Sequence, residues 1–474
     1  MSLQIGINQH IFEMEYAVRG PIPQRAAELA KQGMKCIPCN IGNPQALGQQ
    51  PITYYRQVLS LIEEPSRIER ERKLNRLAQG MEGFGRDLIS DYVLELCESL
   101  LSKMPTGMGA YTESKGPLFI REAVASYIDK RDDIGSAGAV ADPSNIFLTN
   151  GASEGARYLL EMLLADPKDG VMIPTPQYPL YSATIKKCGG TQVNYYPDED
   201  NDWNLSVAEL EESIAKARKD GITVKAIVVI NPGNPTGAIL DKQSIKDVID
   251  FAERHGLIIM ADEVYQENLY GAEFFSFAKV LGDRDVPLFS FHSTSKGFYG
   301  ECGHRGGYLE ARNAPMIKDT EINFLDILLK QASVSLCSNT AGQLLTYLMV
   351  SPPQEGSEPY EKFVQEKQKT LSDLYDKATI IKDALTHMEG VKCFGRIGAM
   401  YLFPRLEKLP EGTTDFDYCM TLLEKTGLVT VNGSGFGQRE GTSHLRIAFL
   451  PPKDVLEDVL PKWTKFHNEY VNAR

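Results

Sequence analysis

Between about Asn145 and Gly307, short apolar runs rich in β-branched residues alternate with longer stretches of helical spacing. The apolar runs are NIFLTNG, GVMIPTP, TQVNYY, VKAIVVINP, LIIMADE, PLFSFHS and GGYLE. The stretches between them, such as SVAELEESIAKARKDG and DKQSIKDVIDFAERHG, carry apolar residues at helical spacing and end in glycine. This alternation predicts an α/β fold in which a mostly parallel sheet lies between helices.

The pattern changes near residue 345. SPPQEGSEP (351–359) interrupts it, and a long charged helical stretch and a mixture of strands and helices follow. The first 60 or so residues are rich in proline and glycine, and 474 residues exceed one ordinary core. We therefore predict an N-terminal arm that also contributes to a small domain (1–60), a large domain (61–344) and a smaller α+β domain (345–474).

Charge and hydropathy narrow the classes of partner. A net charge of −13 disfavours nucleic acid and anionic lipid, which are themselves negatively charged. No segment has the roughly 18 consecutive apolar residues that a membrane span needs. The N-terminus resembles neither a secretory signal nor a transit peptide. We expect small-molecule partners and a cytoplasmic protein, with the mitochondrial matrix open if a presequence was removed.

The eight cysteines indicate reduced thiols rather than a disulfide framework, because they are scattered through a long chain. Cys36 and Cys39 in CIPC have the spacing of a zinc knuckle, but a second pair of ligands is missing. We therefore interpret them as buried strand cysteines and expect no metal site.

Polar motifs follow several of the predicted strands, where ligands of α/β sheets bind. TNGASEG (149–155) offers a helix N-terminus to a phosphate. NPGNPTG (231–237) and the acid of ADEVY, Asp262, follow two further strands. Taken singly, TNGASEG also fits a helix cap, NPGNPTG an elaborate turn, and Asp262 a solvated carboxylate at a strand end.

STSK (293–296) ends another strand with hydroxyls and one lysine, and Arg305 follows. Hydroxyls, a guanidinium and a helix N-terminus together make a phosphate site. A lysine beside such a site, facing an acid from a neighbouring strand, suggests a Schiff base to pyridoxal phosphate.

In this order and spacing, NPGNPTG, ADEVY, STSKG and RGG resemble the fold-type I pyridoxal-phosphate aminotransferases of class I/II. Further stretches extend the resemblance over nearly the whole chain, among them EYAVRGPI, PQYPLYSATI and GSGFGQREGTSHLRIAFLPP. Within the family they look like members that exchange an amino group between L-alanine and 2-oxoglutarate. The resemblance implies pyridoxal 5′-phosphate, a ping-pong reaction through pyridoxamine phosphate, and amino acids and 2-oxo acids as partners.

The resemblance also implies roles for individual residues. Lys296 would hold the cofactor covalently and then move a proton between the substrate Cα and the cofactor. Asp262 would pair with the pyridine nitrogen and keep it protonated. Asn234 and Tyr265 would hydrogen-bond the cofactor's phenolic oxygen.

The phosphate and the ring would be held by a further set of residues. These are Ala152, Ser153, Ser293, Ser295 and Arg305 at the phosphate, and Tyr178 stacked on the ring. Tyr111 matches the tyrosine that reaches the phosphate of the neighbouring subunit's site, which implies a homodimer with shared active sites.

The resemblance also implies which residues would meet the substrate. Arg446 matches the arginine that grips the α-carboxylate in a bidentate fork, and Asn234 would also contact the substrate. Gly42 and Asn43 match the segment that closes over the substrate. Arg19 is a candidate to bind the second carboxylate of 2-oxoglutarate. An equal alternative is that Arg19 fastens the N-terminal arm to the rest of the protein.

Two other functions share these motifs. A lyase of the same fold, such as a carbon–sulfur lyase or an aminocyclopropanecarboxylate synthase-like enzyme, has the same lysine, acid and arginine. A regulator that binds the cofactor without turnover is the other alternative. His292, Cys302 and His304 are expected to pack near the site without a chemical role.

Overall fold

The structure is a computed structural model that describes residues 5–16, 20–79, 88–134 and 140–473. The helices of these residues are α1 (Gln9–Phe12), α2 (Pro21–Lys31), α3 (Thr53–Glu63), α4 (Arg67–Ala78), α5 (Asp91–Lys103), α6 (Leu118–Asp132), α7 (Ala152–Leu163), α8 (Leu180–Cys188), α9 (Val207–Lys219), α10 (Lys242–His255), α11 (Phe277–Leu281), α12 (Phe324–Ser333), α13 (Thr340–Val350), α14 (Tyr360–Thr386), α15 (Asp415–Thr426) and α16 (Lys453–Val471). The strands are β1 (Ile37–Pro38), β2 (Ile146–Leu148), β3 (Asp169–Pro174), β4 (Thr191–Tyr195), β5 (Thr223–Ile230), β6 (Ile258–Asp262), β7 (Leu288–Ser293), β8 (Gly307–Arg312), β9 (Val391–Lys392), β10 (Tyr401–Leu402), β11 (Arg405–Leu406), β12 (Leu428–Val429), β13 (Val431–Asn432) and β14 (Leu445–Ala448).

A seven-stranded sheet forms the centre of the molecule, with strand order β2-β8-β7-β6-β5-β3-β4. Its members are the seven apolar runs predicted from the sequence. Strands β4, β3, β5, β6 and β7 are parallel, whereas β8 is antiparallel to both of its neighbours, β7 and β2. The prediction of a mostly parallel sheet between helices is confirmed.

Helices cover both faces of this sheet. On one face α9, α10 and α11 pack on the sheet in a single apolar cluster. On the other face α7, α8 and α12 bury their apolar residues. The ends of α10 follow from its sequence: the Asp241 side chain accepts a hydrogen bond from the Ser244 amide (2.7 Å), and Gly256 ends the helix at φ +66°.

A smaller unit lies at the carboxyl ends of the central strands. It contains a three-stranded antiparallel sheet with order β10-β14-β13, packed by α14, α15 and α16. The N-terminal segment joins this unit, since α2 contacts α15 and β1 pairs in parallel with β12. The chain between β1 and α3 therefore crosses from the smaller unit to the helices beside the large sheet.

The described cysteines include all eight of the sequence, and each is a free thiol. Cys39 is buried and Cys36 half-buried, on either side of β1. Among the described residues, no helix is long and apolar enough to cross a membrane.

Candidate active site

A cavity of about 250 Å³ lies where the carboxyl ends of the central strands meet the smaller unit. Its lining residues are Gly42, Asn43, Gly151, Ala152, Ser153, Tyr178, Leu180, Ile230, Asn234, Asp262, Val264, Tyr265, Ser293, Ser295, Lys296, Cys302, Arg305, Tyr401 and Arg446. The structure thus brings together every site residue predicted from the sequence except Tyr111 and Arg19. Tyr111 is 78% exposed outside the cavity, and Arg19 lies outside the described residues.

One end of the cavity is built for an anion. Helix α7 begins there at Ala152, directly after Gly151. The Arg305 guanidinium donates to the Ser153 hydroxyl (3.1 Å) and to the Asn150 carbonyl oxygen (2.9 Å). A Cβ on Gly151 would lie 2.9 Å from that guanidinium, and Gly151 has φ +74°, so this position requires glycine. Free helix amides beside a guanidinium suit a phosphate group.

Two serines from the end of β7 complete the anion end. The Ser293 hydroxyl donates to the Ser295 hydroxyl (2.9 Å), and the Ser295 amide donates back to Ser293 Oγ (3.0 Å). Both hydroxyls face the cavity. They lie on the same side as Arg305 because β7 and β8 pair next to each other.

Asp262, the last residue of β6, is buried at the floor of the cavity. Its carboxylate accepts a hydrogen bond from the Tyr181 hydroxyl (2.8 Å). Burial raises the pKa of Asp262 from 3.8 to about 6, although the Tyr181 hydrogen bond and Lys296 act in the opposite direction. A buried carboxylate of this kind is stabilised by a cationic partner, and a protonated pyridine nitrogen is such a partner.

Lys296 enters the cavity from the loop after β7. Its ammonium donates to the Gly42 carbonyl oxygen (2.8 Å) and lies 5.7 Å from the centre of the Tyr265 ring. Burial lowers the pKa of Lys296, but the facing Tyr401 hydroxyl and Cys302 thiol outweigh it, so the net direction is upward. The lysine and the strand-end carboxylate thus face one space, as a covalent cofactor site needs.

Arg446, on β14, is 1% exposed and forms the opposite wall. Its guanidinium donates to Asn234 Oδ1 (3.0 Å) and to the Asn40 carbonyl oxygen (2.6 Å). It lies 4.2 Å from the centre of the Tyr401 ring and 4.6 Å from that of Phe436, so two aromatic rings enclose it. A fixed guanidinium facing the cavity is suited to a carboxylate.

Three contributors were missed from the sequence: Tyr401, Tyr181 and the carbonyl of Asn40. Tyr181 lies three residues after Tyr178 in the same motif, so helical spacing alone places it nearby. Tyr401 and Asn40 belong to the smaller unit, where the rule about strand ends gives no signal. Cys302 lines the cavity, and His292 packs against the rings of Tyr299 and Tyr308. That neither has a chemical role stays a prediction.

Three parts of the cavity together fit a single molecule that carries a phosphate, an aldehyde and a basic ring nitrogen. Arg305 and the start of α7 suit the phosphate, Lys296 the aldehyde, and Asp262 the ring nitrogen. The fold and the site together define a pyridoxal-phosphate enzyme of the α/β class.

Comparison with known proteins gives the family. The model of "Aminotransferase class I and II" matches residues 91–460. The chain therefore belongs to the class I and II aminotransferases, and its cofactor is pyridoxal 5′-phosphate.

Individual relatives span almost the whole chain. It is 41% identical to alanine aminotransferase 1, mitochondrial, of Arabidopsis thaliana, over 98% of this chain and 86% of that protein. It is 42% identical to glutamate–glyoxylate aminotransferase 2 of the same organism, over 98% and 96%. Alanine aminotransferase from Pyrococcus furiosus has a similar structure, with a TM-score of 0.77, 25% identity and coverage of 98% and 100%.

Proposed function

We propose that the protein is an alanine aminotransferase, which converts L-alanine and 2-oxoglutarate to pyruvate and L-glutamate in a ping-pong reaction. The observation that carries the proposal is the convergence of Lys296, Asp262 and Arg446 on one cavity of about 250 Å³. The relatives named alanine aminotransferase, at about 40% identity over 98% of the chain, support the choice of alanine.

The roles of the residues follow from their positions. Pyridoxal 5′-phosphate, when bound, supplies a carbonyl carbon for the amino group and a ring that accepts the electron pair left on the substrate Cα. Asp262 holds a proton on the ring nitrogen by its negative charge. Asn234 and Tyr265 line the same cavity and would hydrogen-bond the ring's oxygen.

Arg446 binds the substrate α-carboxylate, because its guanidinium is fixed by Asn234 and the Asn40 carbonyl. Lys296 takes the proton from the substrate Cα and returns it on the cofactor side, acting as general base and then general acid. The Gly42 carbonyl, which accepts from the Lys296 ammonium, holds the lysine over the cavity between these steps.

A homodimer completes the proposal. Tyr111 and Leu118 are 78% and 48% exposed, and Val334 and Leu336 are 81% and 51% exposed. The hydrogen bond between the Ser333 and Ser114 hydroxyls (3.0 Å) joins the segments that carry these two pairs. We infer that the four side chains form one surface, that a second copy covers it, and that Tyr111 reaches the phosphate of that copy's site.

The decisive experiment follows the cofactor's visible absorbance. L-Alanine alone is added to the purified holoenzyme, and 2-oxoglutarate is added afterwards. We expect the band to disappear with alanine and to return with the oxo acid, while pyruvate and L-glutamate appear in equal amounts. Lys296→Ala is the control, and it is expected to bind the cofactor without turnover.

Other outcomes identify the alternatives. Release of ammonia without an oxo acid acceptor indicates a lyase, and a band that no amino acid changes indicates a regulator. A second candidate is a glutamate–glyoxylate aminotransferase, which the 42% identity to that relative favours. Higher kcat/KM with L-glutamate and glyoxylate than with L-alanine and 2-oxoglutarate would support it.

A cytoplasmic location stays a prediction, since relatives include mitochondrial proteins, and cell fractionation tests it.

A further inference from the structure

Tyr401 enters the cavity from a strained turn that the fold holds in place. Ala399, two residues earlier, has φ +52°, a backbone conformation unfavourable for a residue with a Cβ. The Ala399 amide donates to the Asn268 carbonyl oxygen (3.0 Å), and the Tyr270 hydroxyl donates to the Ala399 carbonyl oxygen (2.8 Å). Strain held by neighbouring structure at a cavity wall indicates that the direction of the following side chain matters.

The side chain of Tyr401 contacts groups with three separate roles. Its ring stacks with the Arg446 guanidinium at 4.2 Å, and its hydroxyl accepts a hydrogen bond from the Tyr265 hydroxyl (3.3 Å). A methyl carbon placed on Gly42 would lie 2.0 Å from the Tyr401 hydroxyl oxygen and 3.2 Å from Lys296 Nζ. The hydroxyl and the ammonium therefore border the same point of the cavity.

Two cations, Lys296 and Arg446, lie near the Tyr401 hydroxyl and ring and act on its pKa. Burial raises the pKa of Tyr401, but the Lys296 and Arg446 cations outweigh burial, so its pKa lies below the ordinary value. The titratable groups that face Tyr401 or Lys296 are Arg446, Tyr265, Cys302, Tyr178 and Asp262, besides Tyr401 and Lys296 themselves. Lys296 and Arg446 are the cations of this set, and Tyr401 lies against both, whereas Asp262 acts on Lys296 from the floor of the cavity.

We propose that Tyr401 is a positioning residue of the amino transfer, holding the Arg446 guanidinium under its ring and the Lys296 ammonium beside its hydroxyl. The inference rests on the proposed function for its catalytic consequence. Whenever Lys296 carries the proton, the hydroxyl keeps that proton near the substrate Cα. Through its ring, the same residue keeps Arg446 aimed at the α-carboxylate, so proton transfer and substrate binding depend on one side chain.

The first test uses the apoprotein and needs no turnover. Lys296 is labelled with acetic anhydride across a pH series and quantified by peptide mass spectrometry. Tyr401→Phe keeps the ring and removes the hydroxyl, so the ammonium loses the acidic group with the largest effect on its pKa and keeps Asp262, Cys302 and Tyr178. We expect the labelling midpoint to fall by about one pH unit. Tyr195→Phe is the matched control, since its hydroxyl donates to Val228 in the sheet, away from the cavity.

The second test separates positioning from simple packing in the holoenzyme. In single-turnover reactions with L-alanine, Tyr401→Phe is expected to slow the chemical step by about tenfold. Its apparent KM is expected to stay within about threefold, because the ring still stacks on Arg446. Tyr401→Leu removes the ring as well and is expected to raise KM in addition.

The inference is overturned if the labelling curves of wild type and Tyr401→Phe coincide, or if Tyr401→Phe changes KM alone. Failure of the proposed function is a different result. In that case the wild type does not convert L-alanine, whereas the labelling curves of the apoprotein still decide whether Tyr401 acts on Lys296.

Discussion

Gly42→Ala offers a test of the geometry around Lys296. The added Cβ would lie 2.0 Å from the Tyr401 hydroxyl oxygen, whereas ordinary contact begins at 3.4 Å. Either Tyr401 or the segment that carries Gly42 must therefore move by about 1.4 Å. Gly42 also supplies the carbonyl that accepts from Lys296, so the movement displaces the lysine as well.

The expected loss of rate follows from the size of this displacement. A misplacement of about 1 Å at a reacting group costs about 100-fold in rate, or about 2.7 kcal/mol of transition-state stabilisation. We expect kcat/KM for L-alanine to fall by about that factor, measured by stopped-flow absorbance of the half-reaction. A lower melting temperature is also expected, because the added Cβ presses on Tyr401, which is buried in the core, so the rates are compared at a temperature where both proteins are folded.

Repeating Gly42→Ala in a protein that already carries Tyr401→Phe makes the test specific. With Tyr401→Phe the hydroxyl is gone, and the nearest ring atom, Cζ, lies 3.1 Å from the added Cβ. Gly42→Ala is then expected to cost only about threefold, which corresponds to a coupling energy of about 2 kcal/mol. Gly303→Ala is the control, because its Cβ meets no atom within 4 Å. Equal losses from Gly42→Ala in both backgrounds, or no loss at all, would refute the reasoning.

Three further predictions follow from the site. Because burial raises the pKa of Asp262 to about 6, its ionised form destabilises the apoprotein above pH 6 and the penalty fades as pH falls. Asp262→Asn should raise the apoprotein's free energy of unfolding at pH 8 by up to about 3 kcal/mol and change it little at pH 4, measured with urea; equal effects at both pH values contradict this. Arg446→Lys should raise the KM for L-alanine by about 100-fold with a smaller change in kcat, since a lysine loses the bidentate fork; an unchanged KM in steady-state assays would remove Arg446 from the substrate site. Tyr111→Phe should weaken cofactor binding by at least about tenfold without changing the sedimentation coefficient of the protein, and unaltered affinity by fluorescence titration argues against the proposed shared site.

The anion end and the floor of the cavity were predictable because of one geometric rule. Parallel strands present their carboxyl ends at one edge, so Ser153, Asp262 and Lys296, each just after or at the end of a strand, had to lie near one another. The direction of β8 was not predictable in this way. A short apolar run has the same pattern in either direction, and only its pairing with β7 and β2 determines it.

The opposite wall of the cavity depends on how the smaller unit docks. Arg446 was predictable only through the family resemblance, and no pattern in the sequence pointed to Tyr401. Tyr401 is placed by the pairing of β10 with β14 and by the turn at Ala399, both of which are tertiary features. Pairings between distant segments leave no periodic trace in a single sequence.

The contact between Asn40 and Arg446 joins residues 406 positions apart. During synthesis, Gly151, Asp262 and Lys296 leave the ribosome long before Arg446 is made, whereas Asn40 emerges early and must wait for its partner. Closing so long a loop is entropically costly and slow, so we expect the wall that carries Arg446 to form last. A nascent chain is therefore able to assemble its anion end before it is able to hold an amino acid, and turnover starts only when the whole chain has folded.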